Sequence, residues 1–136
     1  MGRGPFGGPD VEHMKNEQAD TFRLERHGDV WVIIPAREIE SLQWELVEPA
    51  AALITKPLSQ AEAPLVIVDL SPVEFFGSVF LSLMVRLWKL VATKGGTMVL
   101  CGASERAREL LRVTALDTLW AIYDTRQEAM EVLESE

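Results

Sequence analysis

The nearly all-apolar run Leu65-Val66-Ile67-Val68-Asp69-Leu70 shows no alternation of polar and apolar positions. That is the pattern of a central strand covered on both faces. A second such run, Thr97 to Cys101, predicts another buried strand. Between them Phe80, Leu83, Met84, Leu87 and Val91 recur at helical spacing, and Lys94-Gly95-Gly96 closes the stretch, where glycine suits a left-handed C-cap. Strand, helix and strand within about 37 residues is the size of a crossover unit with two parallel strands.

Upstream, the β-type runs Phe22 to Glu25 and Val30 to Ile34 flank Arg26-His27-Gly28-Asp29, which predicts a hairpin. From Arg37 to Lys56 the residues Ile39, Leu42, Leu46, Ala50, Leu53 and Ile54 share one helical face. Pro49 either kinks that helix or opens a second, shorter one. Pro57 to Pro64 reads as a surface loop, and its Ser59-x-x-Glu62 spacing is no capping box because no helical run follows. Downstream, Ser104 is placed to cap a helix carrying Ala107, Leu110 and Leu111, and Leu119 to Tyr123 predicts a short edge strand. Thr125-Arg126-Gln127-Glu128 forms a capping box for a last helix with Ala129, Val132 and Leu133. The pattern as a whole is α/β: one domain over residues 21–136, with a mixed four- to five-stranded sheet and about four α-helices. Residues 1–20 hold too few large apolar side chains to offset ordering entropy, which predicts a flexible tail.

Composition narrows the function. A hydrophobic content of 48% in 136 residues supports a real core, while 21 acidic against 13 basic residues, a net charge of −8, argues against nucleic acid as a partner. No secretory signal and no run of the ~20 apolar residues a bilayer needs is present, so a cytoplasmic protein without membrane insertion is expected. His13 and His27 lie in the tail and the hairpin turn, and with Cys101 they do not supply a zinc site. No phosphate-cradling glycine loop and no nucleophile elbow is found, since Gly77-Ser78-Val79-Phe80 lacks the elbow's second glycine. Neither an enzyme nor a cofactor is expected. Cys101, in an apolar run, reads as a buried inert thiol, and Trp88 and Trp120 read as core.

One polar group stands out at the strand-to-helix junction Asp69 to Ser82. Ser78 sits where a helix begins, facing unpaired backbone N–H groups and the positive end of the helix dipole. As an ordinary N-cap its oxygen would accept an N–H and contribute ~1 kcal/mol; the same position also favours a phosphate.

The order of elements from Thr21 to Leu133 resembles the STAS domain of anti-sigma factor antagonists. The residues that carry the resemblance are Asp69-Leu70-Ser71, Val73, Phe75-Phe76, Ser78, Leu81, Gly95-Gly96, Val99-Leu100 and Leu110-Leu111. The resemblance implies a STAS-like fold and a switch. An anti-sigma factor that is itself a serine-protein kinase binds the dephosphorylated antagonist and phosphorylates the serine matched by Ser78, and a serine phosphatase resets it. It further implies a partner-binding surface comprising Glu74, Phe76, Gly77, Ser78, Val79, Phe80 and Ser82. The family's Asp-Ser-Ser-Gly-Leu stands here as Gly77-Ser78-Val79-Phe80-Leu81, which removes a carboxylate and adds apolar surface. Two other readings stay open: a phosphorylation-independent STAS adaptor in a signalling assembly or transporter complex, with Val79 and Phe80 packed on another chain, and a small-ligand or nucleotide-binding domain.

Overall fold

The computed structural model describes residues 22–135; the expected tail over 1–20, with His13, lies outside them. Two antiparallel strands, β1 (Phe22–His27) and β2 (Val30–Pro35), open the fold. β1 runs two residues past its expected end, because the two-residue turn Gly28-Asp29 suffices to join the strands and His27 ends a strand instead of lying in the turn, while β2 extends at its far end to Pro35, opposite Phe22. Strands β3 (Leu65–Asp69), β4 (Thr97–Cys101) and β5 (Ile122–Tyr123) add in parallel, giving a five-stranded mixed sheet in sequential order. The last strand is shorter than expected: Leu116–Thr118 forms a 3-10 turn, and Trp120, 2% exposed, pins the chain before pairing begins.

Alternation along the strands divides the core. Val66, Val68, Leu70, Met98 and Leu100 face α1 (Val47–Leu58), α2 (Ser78–Thr93) and α3 (Glu105–Val113). Val30, Val32, Ile67, Val99 and Cys101 face α4 (Arg126–Glu134) through Ala129 and Leu133. This two-sided burial is what the uninterrupted apolar runs require.

The helical stretch from Arg37 does not form one helix. It breaks into 3-10 turns at Arg37–Ser41 and Trp44–Leu46 before α1 begins, so Pro49 falls in the first turn, where its missing N–H has no intrahelical acceptor to serve. The loop expected from Pro57 starts two residues late, since α1 continues through Pro57 to Leu58. A proline in the last turn forfeits one backbone bond, and Leu58, fully buried, offsets it. Gly95 turns left-handed at φ +74° after α2, and a side chain on Gly96 would meet the Pro64 backbone, so the pair ends the helix and lets the loop before β3 lie against β4.

Candidate functional site

The carboxyl end of β3 carries the loop that leads to α2. Leu70 N–H donates to the Cys101 carbonyl (2.8 Å) and Val73 N–H to the Leu70 carbonyl (2.9 Å), while Val73 and Phe76 drop into the core. Phe76 meets Phe80 edge to face, with centroids 5.2 Å apart. These anchors leave Glu74, Gly77 and Ser78 exposed between them.

Two expectations are corrected here. Ser78 is not the N-cap: Gly77 takes that place, in extended conformation and without a side-chain cap, and Ser78 is the first residue of α2. Its hydroxyl forms no hydrogen bond among the described residues. Phe76 and Phe80, expected on a partner-facing surface, are 0% and 4% exposed, because α2 needs both rings to close the core beneath its first turn. Val79 and Ser82 are half-buried, the Ser82 hydroxyl donating to the Val79 carbonyl (2.7 Å). The surface that remains is Glu74, Gly77 and Ser78, flanked by Phe75, Val79 and Ser82.

A second polar group lies at the start of the loop. Asp69, 5% exposed, accepts hydrogen bonds from the Ser71 hydroxyl (2.6 Å), the Ser71 N–H (3.0 Å) and Arg126 Nε (2.9 Å). Arg126 also pairs with Glu25 (3.4 Å), which His27 and Arg23 each approach at 2.9 Å. Burial pushes the Asp69 carboxyl up, but the Ser71 and Arg126 donors outweigh it and hold the group below its ordinary value. Next to it, burial and then the Asp69 charge push the Cys101 thiol up to about 12, so it stays protonated and unreactive at neutral pH. Gly102, at φ +71°, passes so close to Ser71 that a side chain there would meet the hydroxyl.

The loop is also tied to α3. Ser104 accepts from the Ala107 N–H (3.1 Å) as the expected N-cap and donates to the Glu74 carbonyl (2.6 Å). Arg106 lays its guanidinium 4.6 Å from the Phe75 ring centre. On α2, Arg86 pairs with Glu48 of α1, and Lys94 at the helix end bonds the Ser59 carbonyl. Among the described residues no helix is long and apolar enough to cross a membrane.

The STAS domain family profile matches residues 32–129, a span that contains this loop and both of its anchors. The chain belongs to the STAS family. A Thermotoga neapolitana protein named as an anti-sigma factor antagonist homologue is 38% identical over 66 residues, 48% of this chain and 58% of the relative. The STAS domain here thus aligns with little more than half the length of that curated relative. A STAS-domain anti-sigma-factor antagonist structure from Planctomyces limnophilus is 34% identical, with TM-score 0.74 over 83% of this chain and 97% of that one. An anti-sigma factor antagonist structure from Thermotoga maritima is 27% identical, with TM-score 0.74 over 88% of this chain and 99% of that one. The five-stranded mixed sheet with four helices is therefore the STAS fold.

Asp69, Ser71, Gly102, Ser104 and Arg126 were not among the residues singled out for a site. An Asp closing an apolar strand two residues before a Ser is a visible local signal. Arg126, 57 positions away from Asp69, leaves none.

Proposed function

We propose that this STAS domain is a non-enzymatic regulatory protein, an anti-sigma factor antagonist, whose partner docks on Glu74, Gly77 and Ser78 with Val79 and Ser82 at the margin. Ser78 is the phosphoacceptor. The observation that carries this reading is the exposed Ser78 hydroxyl, in the first turn of a 16-residue helix, with no hydrogen-bond partner among the described residues. A hydroxyl so placed is free to meet a kinase, and a phosphate on it would face N–H groups that lack intrahelical acceptors. The same phosphate adds roughly −1.5 to −2 charge to a surface shaped around a neutral group, enough to expel a closely packed partner. The partner is an anti-sigma factor with serine-kinase activity, and a serine phosphatase reverses the step.

The adaptor reading drew on Val79 and Phe80 meeting another chain. With Phe80 buried and Val79 half-buried against the core, little of that apolar surface is left.

The test compares S78A and S78E for binding to the anti-sigma factor found in the same cell, together with mass spectrometry of the native protein. Retained binding in S78A, loss in S78E and a phosphate on Ser78 are expected. Equal affinities of the two variants would sink the switch.

A further inference from the structure

The end of the sheet opposite Ser78 holds a concavity. The N-terminal ends of β3 and β4 and the β1–β2 turn enclose a pocket of about 460 Å3, lined among others by Arg26, Asp29, Trp31, Glu62, Pro64 and Leu65. Its size falls in the ~300–1,000 Å3 range of small-molecule sites. Trp31 is half-buried, packed against the main core, and Arg26, its cross-strand partner, covers its ring at 4.7 Å from the centre. The ring face thus already holds a planar cation, tethered by a bond from Arg26 Nε to the Gly28 carbonyl (3.1 Å). No carboxylate pairs with Arg26 among the described residues.

The charges around this ring favour a further cation. Asp29 and Glu62 line the same pocket, are exposed, and have no ion-pair or hydrogen-bond partner among the described residues. Against the one cation of Arg26 they leave the lining net negative, and the −8 charge of the chain raises the local concentration of positive ions. An anion would meet two carboxylates and one guanidinium already engaged on the ring. We propose that the pocket binds a small organic ammonium ion, seated on the Trp31 face with Asp29 and Glu62 as counter-charges, and that Arg26 leaves the ring as the ligand enters. Arg26 then acts as an internal plug that competes with the ligand. The site stands apart from Ser78, and neither reading depends on the other.

The experiment is an NMR titration of the full chain with choline chloride against a sodium chloride control of equal ionic strength. The Trp31 indole N–H is assigned with W31F, which separates it from Trp44, Trp88 and Trp120. A saturable shift of the Trp31 signal with choline alone is expected. D29N/E62Q weakens binding by ~10-fold or more, as loss of two counter-charges requires, and R26Q tightens it by about 3-fold by removing the competing cation. All three substitutions fall on exposed side chains, so an unchanged thermal midpoint confirms that the fold is intact. Absence of a saturable Trp31 shift, the same shift with sodium chloride, or undiminished binding by the folded D29N/E62Q variant would each overturn the proposal.

Discussion

Ser71 and Ser78 stand seven residues apart at the two ends of one loop, and their surroundings differ sharply. Ser71 is held by its hydroxyl and its N–H to a buried carboxylate, which Arg126 holds from the other side, and Gly102 closes over it. Ser78 begins a helix whose N-cap, Gly77, offers no side-chain bond, and its own hydroxyl has no bond among the described residues. One end of the loop is fixed by electrostatics so that the other can present an unengaged hydroxyl in a defined place. Rigidity at the entry and availability at the exit are what the proposed docking and phosphorylation at Ser78 require.

The strongest way to break this contrast is to remove the carboxylate. Asp69→Ala strands Ser71 and Arg126 without their acceptor and is expected to cost about 3 kcal/mol in urea unfolding at pH 7, less than a fully buried pair because Arg126 is partly exposed. A loss under 1 kcal/mol would mean that the cluster does not fix the loop. Asp69 also predicts an acid limb. Its folded pKa is depressed, so its contribution is complete above the ordinary value of 3.8 and is lost as pH falls from there toward the folded value. Asp69→Asn should flatten that limb of the stability curve. Glu25, held low first by its bond from His27, titrates in the same direction.

Gly102→Ala attacks the same anchor from β4. It combines a left-handed backbone with a clash against the Ser71 hydroxyl, and a cost of about 2 kcal/mol, or a fall of roughly 6–10 °C in thermal midpoint, is expected. An unaffected midpoint would show that Ser71 can move aside freely.

How much of this was legible in the sequence follows from the range of each interaction. The strands β3 and β4, the C-cap at Gly95-Gly96, and the caps at Ser104 and Thr125 are local or periodic, and all were readable. So was the family, through Asp69-Leu70-Ser71 and Ser78 in order. What failed was contextual. Phe76 and Phe80 look like exposed apolar surface beside a site until the fold shows them meeting each other under α2. Ser78 looks like a cap because serine favours that position, yet the chain begins the helix one residue earlier than that preference implies. Arg126 joins Asp69 only once α4 docks beside β3, and no spacing rule reaches across 57 residues.

The two serines themselves give a smaller and more direct comparison. Ser71→Ala removes a hydrogen bond to a charged acceptor and is expected to cost about 1–2 kcal/mol. Ser78→Ala removes none within the described residues and should stay within about 0.5 kcal/mol of the parent. Unfolding of the pair under one set of conditions checks both, and equal costs would erase the distinction between anchored and presented hydroxyls.

A stabilising substitution tests whether the distinction depends on a single residue. Gly77 is extended at φ −109°, and a side chain built there meets nothing within 4 Å, so Gly77→Asp introduces a carboxylate at the N-cap without strain. An acidic cap accepts from the backbone N–H of the second or third helical residue and complements the dipole, for a gain of about 0.5–1 kcal/mol. That gain should survive when Gly77→Asp is combined with Ser78→Ala, because the acceptor then serves the backbone and leaves the hydroxyl unengaged. If the gain vanishes in the combined variant, the carboxylate has bonded Ser78 directly. Ser78 would then be held as Ser71 is held by Asp69, and the difference between the two ends of the loop would rest on the glycine at position 77.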